Sequence, residues 1–343
     1  MMRSTSVLVQ GMVLFLKIHP IIFLLVLGMT QTASASTCIY DEFNGNSLDL
    51  VKWDVFKGHP AVSGGNLPLA AESGSRSEIQ SKTVCPYGTL QATITSSNWK
   101  PQSEHIDDSS FGFEHFTGTN GQCHYAVHLN ANGHLGILRA VPDAQGNCSG
   151  DPTIQRYIQI SNWDAVRTGA DGKINITIIW TSNSVTLRVN DGRSNSGEAS
   201  YTGSTDIPAI PLKIRLNANC KARMVGDPEC NSDIDEAYNL DYIRVGDSFA
   251  LNIININPAG GTVISDVGGI SCGATCNLPY VDGTSIKLSA IPAAGYQFSG
   301  WGRACSGYGN FCSMTMDADK SVTANFEVFH RKRSPWHRGV LPQ

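Results

Sequence analysis

Apolar and polar residues alternate over most of the chain between residues 38 and 247, which predicts many short β-strands. Clear examples are residues 87–95 (YGTLQATIT), 173–180 (KINITIIW) and 212–218 (LKIRLNA). Gly, Asn and Ser residues between these segments favour turns, and no long amphipathic helix stands out. We therefore predict an all-β domain in which two sheets pack face to face as a sandwich.

The same alternation at residues 111–130 predicts two antiparallel strands joined by a turn at Gly118 and Gly121. The inward-facing positions would be Phe111, Phe113, Tyr125, Val127 and Leu129. Side chains alternate between the two faces of a strand, so Glu114, His124 and His128 would share the outer face. A carboxylate among imidazoles can bind sugar hydroxyls, perform acid–base chemistry or hold zinc. It is equally compatible with a plain solvated sheet face.

A second pattern of short strands and Gly-rich turns runs over residues 250–328, after a hinge at residues 246–249. We predict a separate small β domain there. Residues 329–343 are basic and have no periodicity, so we expect a disordered tail.

The N-terminal residues 1–35 have the features of a signal peptide. Positive charges at Arg3 and Lys17 accompany an apolar segment at 21–27, and Ala-Ser-Ala at 33–35 is a suitable cleavage motif. We expect an exported protein, secreted or held at a bacterial cell surface or in the periplasm, with no membrane contact after cleavage. A retained N-terminal anchor is the alternative.

Ten cysteines all follow the predicted cleavage site, and an even number in an exported protein indicates disulfides. The expected local bridges are Cys272–Cys276, Cys305–Cys312 and Cys220–Cys230. The other four cysteines, Cys38, Cys85, Cys123 and Cys148, allow three pairings that the sequence leaves open. A zinc site at the four C-terminal cysteines is the competing interpretation.

Composition and charge narrow the range of functions. The 343 residues suffice for two domains with buried cores. Only 16% of the residues are charged and the formal net charge is −4, which gives no indication of a nucleic-acid partner. We expect a monomer.

Four segments in order carry a family resemblance: DEFNGNSLDLVKWDV, SEIQSKTVCPYGTLQATI, KINITIIWTSNSVTLRVNDG and NLDYIRVG. They resemble the concanavalin A-like lectin/glucanase superfamily, which includes family-16 glycoside hydrolases and laminin-G-like domains. The resemblance covers nearly all of residues 38–247. It implies a two-sheet jelly roll whose concave face binds glycans.

The chain departs from the family-16 hydrolases at their catalytic strand. Those enzymes carry Glu-x-Asp-x-Glu there, whereas this chain has FGFEHFTG with Glu114 as its single glutamate. We therefore favour a lectin-like protein that binds a polysaccharide over an enzyme. We also expect Glu114→Ala to abolish glycan retention without changing the melting temperature.

Two alternatives remain. An endo-acting glycoside hydrolase or a lyase would pair Glu114 with Asp107, Asp108 or a histidine. A surface adhesion or structural protein would bind no glycan.

The resemblance implies further binding residues. The additional glycan-binding candidates are Arg139, Arg156, Trp99 and Trp163. Many relatives hold a structural calcium, which would place Asp241 and Glu42 near an ion. No other cofactor is required.

The second domain resembles the divergent internalin-B-type B-repeat of bacterial surface and secreted proteins. The shared motifs are Cys-Gly-x-x-Cys, Pro-Ala-Ala-Gly-Tyr-x-Phe-x-Gly-Trp and Lys-Ser-Val-Thr-Ala-x-Phe. The resemblance implies a β module used for spacing or adhesion and indicates a bacterial host.

Overall fold

The structure is a computed structural model that describes residues 37–70, 77–85, 87–95, 110–118, 121–130, 133–148, 152–168, 172–218, 237–272 and 276–329. These residues form twenty-one strands, one short α-helix and one 3-10 turn, which confirms the all-β prediction. The predicted signal peptide and basic tail lie outside the described residues. No helix in the described part combines the length and apolar character that a membrane span needs.

Two antiparallel seven-stranded sheets form the sandwich over residues 37–246. The first sheet has the order β1-β14-β5-β10-β11-β12, with β3 also paired to β14. Its strands are β1 (Thr37–Asp41), β3 (Leu67–Ala70), β5 (Gly88–Thr95), β10 (Lys173–Trp180), β11 (Ser184–Asn190), β12 (Ser196–Thr202) and β14 (Ala237–Gly246).

The second sheet has the order β2-β4-β13-β6-β7-β8-β9. Its strands are β2 (Trp53–Lys57), β4 (Ser77–Cys85), β6 (Ser110–Thr117), β7 (Cys123–Asn130), β8 (His134–Arg139), β9 (Ile154–Gln159) and β13 (Leu212–Ala218). The helix α1 (Trp163–Arg167) follows β9.

The inward-facing residues of both sheets form one hydrophobic core. Phe113 of the second sheet packs on Trp180 of the first, with ring centroids 5.0 Å apart. Phe111 and Tyr238 make a second contact between the sheets, at 6.2 Å. Because every second residue of a strand points inward, the outer faces receive the polar residues of the same alternation. The predicted two-sheet fold is confirmed.

Strands β15–β21 form what we call the C-terminal module. They are β15 (Ser248–Asn255), β16 (Gly261–Ser265), β17 (Asn277–Val281), β18 (Ser285–Pro292), β19 (Tyr296–Arg303), β20 (Phe311–Thr315) and β21 (Lys320–Val328). A four-stranded sheet, β17-β15-β21-β19, and a three-stranded sheet, β16-β18-β20, enclose a second hydrophobic core. Only Asp247 separates β14 from β15, so strands occupy the positions where a hinge was predicted.

Four disulfides lie in the described part of the chain. The predicted bridges Cys272–Cys276 and Cys305–Cys312 are confirmed. The pairing that the sequence left open is Cys38–Cys85 and Cys123–Cys148. Cys220 and Cys230 lie outside the described residues.

The outer face of the first sheet is bonded to the C-terminal module, and we call it the junction face. The Gln91 side chain donates to the Pro279 carbonyl at 2.7 Å and accepts from the Val281 backbone N–H at 3.1 Å. The Gln91 side chain therefore bonds a carbonyl and an N–H of β17, as the backbone of a neighbouring strand would. Thr89 and Ser248 share a further hydrogen bond of 2.8 Å. Gln91 is 1% exposed, so these bonds are shielded from water.

A chain of side-chain hydrogen bonds also crosses the junction face. Thr93 donates to Asn175 at 2.8 Å, and Asn175 donates to Asn190 at 3.0 Å. Asn190 then donates to the carbonyl of Gly268 in the module, at 3.5 Å. The C-terminal module is thus docked on the sandwich through amides, hydroxyls and backbone groups, and Lys173 adds a donor to the Asp266 carbonyl at 3.5 Å.

Candidate functional site

The pairing of β6 with β7 places the predicted site residues on one face. Phe116 lies opposite His124, and Gly112 lies opposite His128. Glu114 lies between these two positions on the same side of β6. The predicted turn is confirmed, since the Gly121 N–H donates to the Gly118 carbonyl at 3.1 Å. The predicted sharing of one sheet face is also confirmed.

We call this outer face of the second sheet the ion-pair face, because a network of ion pairs and hydrogen bonds crosses four of its strands. Arg215 on β13 donates from Nε to Glu78 on β4, and from a terminal nitrogen to Glu114 on β6, each at 2.7 Å. His124 Nε2 on β7 donates to the same oxygen of Glu114 at 2.7 Å. The network joins two carboxylates through one guanidinium and fixes one imidazole.

Burial makes this network strong and costly to break. Glu78 is 3% exposed, Glu114 is 5% exposed and Arg215 is 9% exposed. Burial alone raises the pKa of Glu114. The hydrogen bond from His124 and the charges of Arg215, His124 and His128 outweigh burial and lower that pKa from 4.5 to about 2. Glu114 is therefore a carboxylate over the physiological pH range and acts as an acceptor.

Phe116 lies at the exposed end of the network. Its ring stacks on His124, with centroids 4.3 Å apart and planes 13° apart. The guanidinium carbon of Arg215 lies 5.2 Å from the same ring centroid. Phe116 is 42% exposed, so an aromatic surface is presented to solvent beside the buried charges.

Two glycines determine how His128 lies on this face. Gly112 and Gly136 flank His128 on the neighbouring strands. A Cβ at Gly136 would lie 2.4 Å from His128 Nε2, and one at Gly112 would lie 2.9 Å from the His128 Cα. Any larger residue at either position would displace the imidazole or the backbone. The small residues therefore give the ring its space on the sheet.

The two arginines expected on the glycan-binding face lie elsewhere. Arg139 is opposite Tyr125 in register, on the side away from His124, and it donates to the Thr205 carbonyl. Arg156 is paired with Asp206 at 2.8 Å. Both arginines bond residues of the loop after β12 and so connect that loop to the edge of the second sheet. The prediction for this pair was wrong, because their strand positions have the opposite parity from Glu114.

The predicted stacking residue Trp163 is a core residue. It is 4% exposed and begins α1, where its ring fills the space beside Gly133. Its indole face is therefore covered by protein and cannot stack on a sugar. Trp99, Asp107 and Asp108 lie outside the described residues.

The two carboxylates predicted near a calcium ion have other surroundings. Glu42 pairs with Arg244 at 3.6 Å and accepts from Asn44 at 2.9 Å. Asp241 lies on β14. Within the described ranges, no group of three or more His, Cys, Asp or Glu side chains is placed to hold a metal ion.

Three important residues were missed by the sequence analysis: Glu78, Phe116 and Arg215. A signal was available for two of them. In Ser77–Cys85, Ile79 is buried in the core, so its neighbour Glu78 must face outward. In Leu212–Ala218, Ile214 and Leu216 bracket Arg215 in the same way. Only the strand order brings them beside Glu114.

Comparison with known proteins identifies the C-terminal module. Residues 254–329 match the family model of the divergent InlB B-repeat domain, which confirms the resemblance inferred from its motifs. No curated protein matches the chain by sequence.

Several solved structures are similar to the chain. A laminarinase from Flavobacterium sp. UMI-01 is 15% identical over 62% of this chain and 100% of its own, with a TM-score of 0.38. Porphyranase B from Zobellia galactanivorans is 11% identical over 61% and 90%, at 0.40. An endo-β-galactosidase from Clostridium perfringens is 13% identical over 76% and 78%, at 0.41.

Proposed function

We propose that this protein binds a polysaccharide at the exposed edge of the ion-pair face. The observation that carries the proposal is the stacked pair of Phe116 and His124, which is exposed on one side and fixed from below by Glu114. Polysaccharides combine flat C–H surfaces with hydroxyl groups. This pair combines an aromatic surface with a polar ring nitrogen.

The site would bind without reorganising. The His124 ring is held by a short hydrogen bond to a carboxylate that Arg215 also holds, so its orientation is set before the ligand arrives. Preorganisation of this kind increases affinity because less side-chain freedom is lost on binding. Phe116 would stack on a sugar ring through its large apolar surface. Lys213, opposite Glu114 on β13, is available to bond hydroxyls at the same edge.

The electrostatics argue against Glu114 as the general acid of a hydrolase. A general acid has to carry a proton near the working pH, which requires a raised pKa. The pKa of Glu114 is lowered to about 2 instead. The two carboxylates of a glycosidase flank the scissile bond across an open gap. Here the guanidinium of Arg215 bonds both Glu78 and Glu114 and occupies the space between them.

The test is retention of the protein on a panel of insoluble polysaccharides. Phe116→Ala removes the exposed ring and should abolish retention on the polysaccharide that holds the wild type. Phe311→Ala is the matched control, because Phe311 is 61% exposed but lies on β20 of the C-terminal module. The Phe311→Ala variant should be retained on the polysaccharide as the wild type is.

Two results would contradict the proposal: failure of the wild type to bind any polysaccharide, or equal retention of Phe116→Ala and wild type. Glu114→Ala is not a suitable variant. The earlier expectation that it leaves the melting temperature unchanged is at odds with the structure, because Glu114 is buried and holds both Arg215 and His124.

A second candidate function, glycoside hydrolysis, is favoured by one observation. Glu78 supplies a second carboxylate on the face of Glu114, where the sequence analysis found only one. A hydrolase would release new reducing ends from the bound polysaccharide, and Glu78→Gln would stop their release. If the protein is retained on the polysaccharide and releases no new reducing ends, its function is binding.

The disulfides support a location outside the cytoplasm. Structural disulfides form and persist in oxidising compartments. Four are present in the described part, and they staple both the sandwich and the C-terminal module. We therefore propose that the polysaccharide is one met outside the cell or at its surface.

A further inference from the structure

A cleft of about 290 Å³ lies between the edge of the first sheet and the C-terminal module. One wall is formed by strands β11 and β12, with Arg188 and Glu198, and by Ser161 before α1. The other wall is formed by Asn277 and Leu278 of β17. The cleft lies beside the junction face and is separate from Phe116 and His124. Neither domain forms it alone.

Charged groups of opposite sign line the first wall. Arg188 Nε donates to Glu198 at 2.8 Å, and the two side chains are 34% and 49% exposed. They therefore offer a guanidinium donor and a carboxylate acceptor side by side at the opening of the cleft. The two walls add the hydroxyl group of Ser161 and the amide of Asn277.

At the floor of the cleft, the backbone of β12 packs closely against the backbone before α1. Gly197 lies so near the Ser161 carbonyl that a Cβ there would be 2.0 Å from that oxygen. The volume is at the small end of the range for ligand pockets, about 300–1,000 Å³. It suits a single ring-sized polar molecule.

We propose that this cleft is a second ligand site, which binds one neutral sugar unit. Sugar hydroxyls donate and accept hydrogen bonds, so the adjacent guanidinium and carboxylate match neighbouring hydroxyls of one ring. The amide of Asn277 reaches the ligand from the module. Docking of the C-terminal module thus completes a binding site.

The experiment is an NMR titration of the isotope-labelled full-length protein with glucose, galactose and N-acetylglucosamine in turn. The backbone amides of Gly197 and Leu278 report on the two walls. We expect at least one sugar to shift both signals in the wild type. Arg188→Leu should weaken that binding about tenfold or more, since it removes a charged hydrogen-bond donor.

Arg167→Leu is the matched control. Arg167 makes an ion pair with Asp164 through Nε at the same 2.8 Å, on α1 and outside the cleft lining. The binding curve of the Arg167→Leu variant should equal that of the wild type. Asn277→Trp tests the opposite wall, because it fills the cleft from an exposed position and leaves the sandwich unchanged. It should also abolish binding.

The proposal is overturned if no sugar shifts both signals, or if Arg188→Leu and Asn277→Trp bind as the wild type does. It is also overturned if Arg167→Leu loses binding equally. The inference does not depend on the site at Phe116. Phe116→Ala should leave the shifts of Gly197 and Leu278 intact, so failure of one site is distinguished from failure of the other.

Discussion

The outer faces of the two sheets are both polar, but their polar groups bond different partners. The ion-pair face carries charges, with Glu78, Arg215 and Glu114 bonded to one another. On the junction face, the neutral amides of Gln91 and Asn190 bond the backbone of the C-terminal module, and the Arg188–Glu198 ion pair lies on the same face. The charged groups of the ion-pair face bond one another, whereas Gln91 and Asn190 of the junction face bond the C-terminal module.

The difference follows from the free energy of removing each group from water. A neutral amide costs little to bury when it finds a carbonyl and an N–H, which any strand provides. A buried charge needs an opposite charge within reach. Neutral groups of this kind can therefore bond a second domain. A face with fixed charges holds its own partners and leaves its exposed edge for a ligand.

The largest expected effect comes from breaking the ion-pair face. Arg215→Met would leave Glu78 and Glu114 buried without their shared cation. We expect the free energy of unfolding to fall by about 3–5 kcal/mol, the usual cost of removing one partner from a buried pair. Chemical denaturation measures it. Lys213→Met, on the same strand and face but partly exposed, is the control and should change stability little. Equal losses in both variants would contradict the assignment.

Acid should weaken the same face in a defined pH range. The folded-state pKa of Glu114 is about 2, below the ordinary value of 4.5. Its contribution is therefore complete above pH 4.5 and is lost as the pH falls towards 2. The contribution is on the order of 3 kcal/mol.

This pH effect is measured by urea denaturation of wild type and Glu114→Gln over a pH series. The stability difference between them should shrink between pH 4.5 and 2. Glu198→Gln, which removes an exposed carboxylate, is the control. A difference that stays constant over this range would refute the role given to Glu114.

A smaller effect is expected at the junction face. Gln91→Leu leaves the Pro279 carbonyl and the Val281 N–H without their partner. We expect a loss of about 2 kcal/mol, from two shielded hydrogen bonds, and earlier unfolding of the C-terminal module in calorimetry. Gln155→Leu is the control, because its side chain is exposed on β9 and bonds only the Pro152 carbonyl. Identical thermograms for the two variants would argue against a docked module.

Much of the fold could be predicted because it depends on short-range patterns. The alternation in Lys173–Trp180 places Ile174, Ile176 and Trp180 in the core, as its sequence indicates. The closely spaced cysteines of the C-terminal module pair locally, as expected. Cys38–Cys85 could not be predicted, because its partners are 47 residues apart and meet only after the sheets have formed.

The candidate site was predicted only in part. Glu114 and His124 lie on adjacent strands joined by a short turn, so alternation alone places them together. Glu78, 36 positions earlier, joins the network through Arg215 on the intervening strand β13. Arg139 and Arg156 show the opposite error, since their charge suggested a role that their strand parity excludes.

The sequence by itself determined which residues face inward, because the two-residue period of a strand is a local property of the backbone. It therefore determined the β class, the two polar faces and the β6–β7 pair. The tertiary structure decided which strands are neighbours, since strand order depends on contacts between distant segments. That order placed Arg215 between two carboxylates and set one polar face against the C-terminal module.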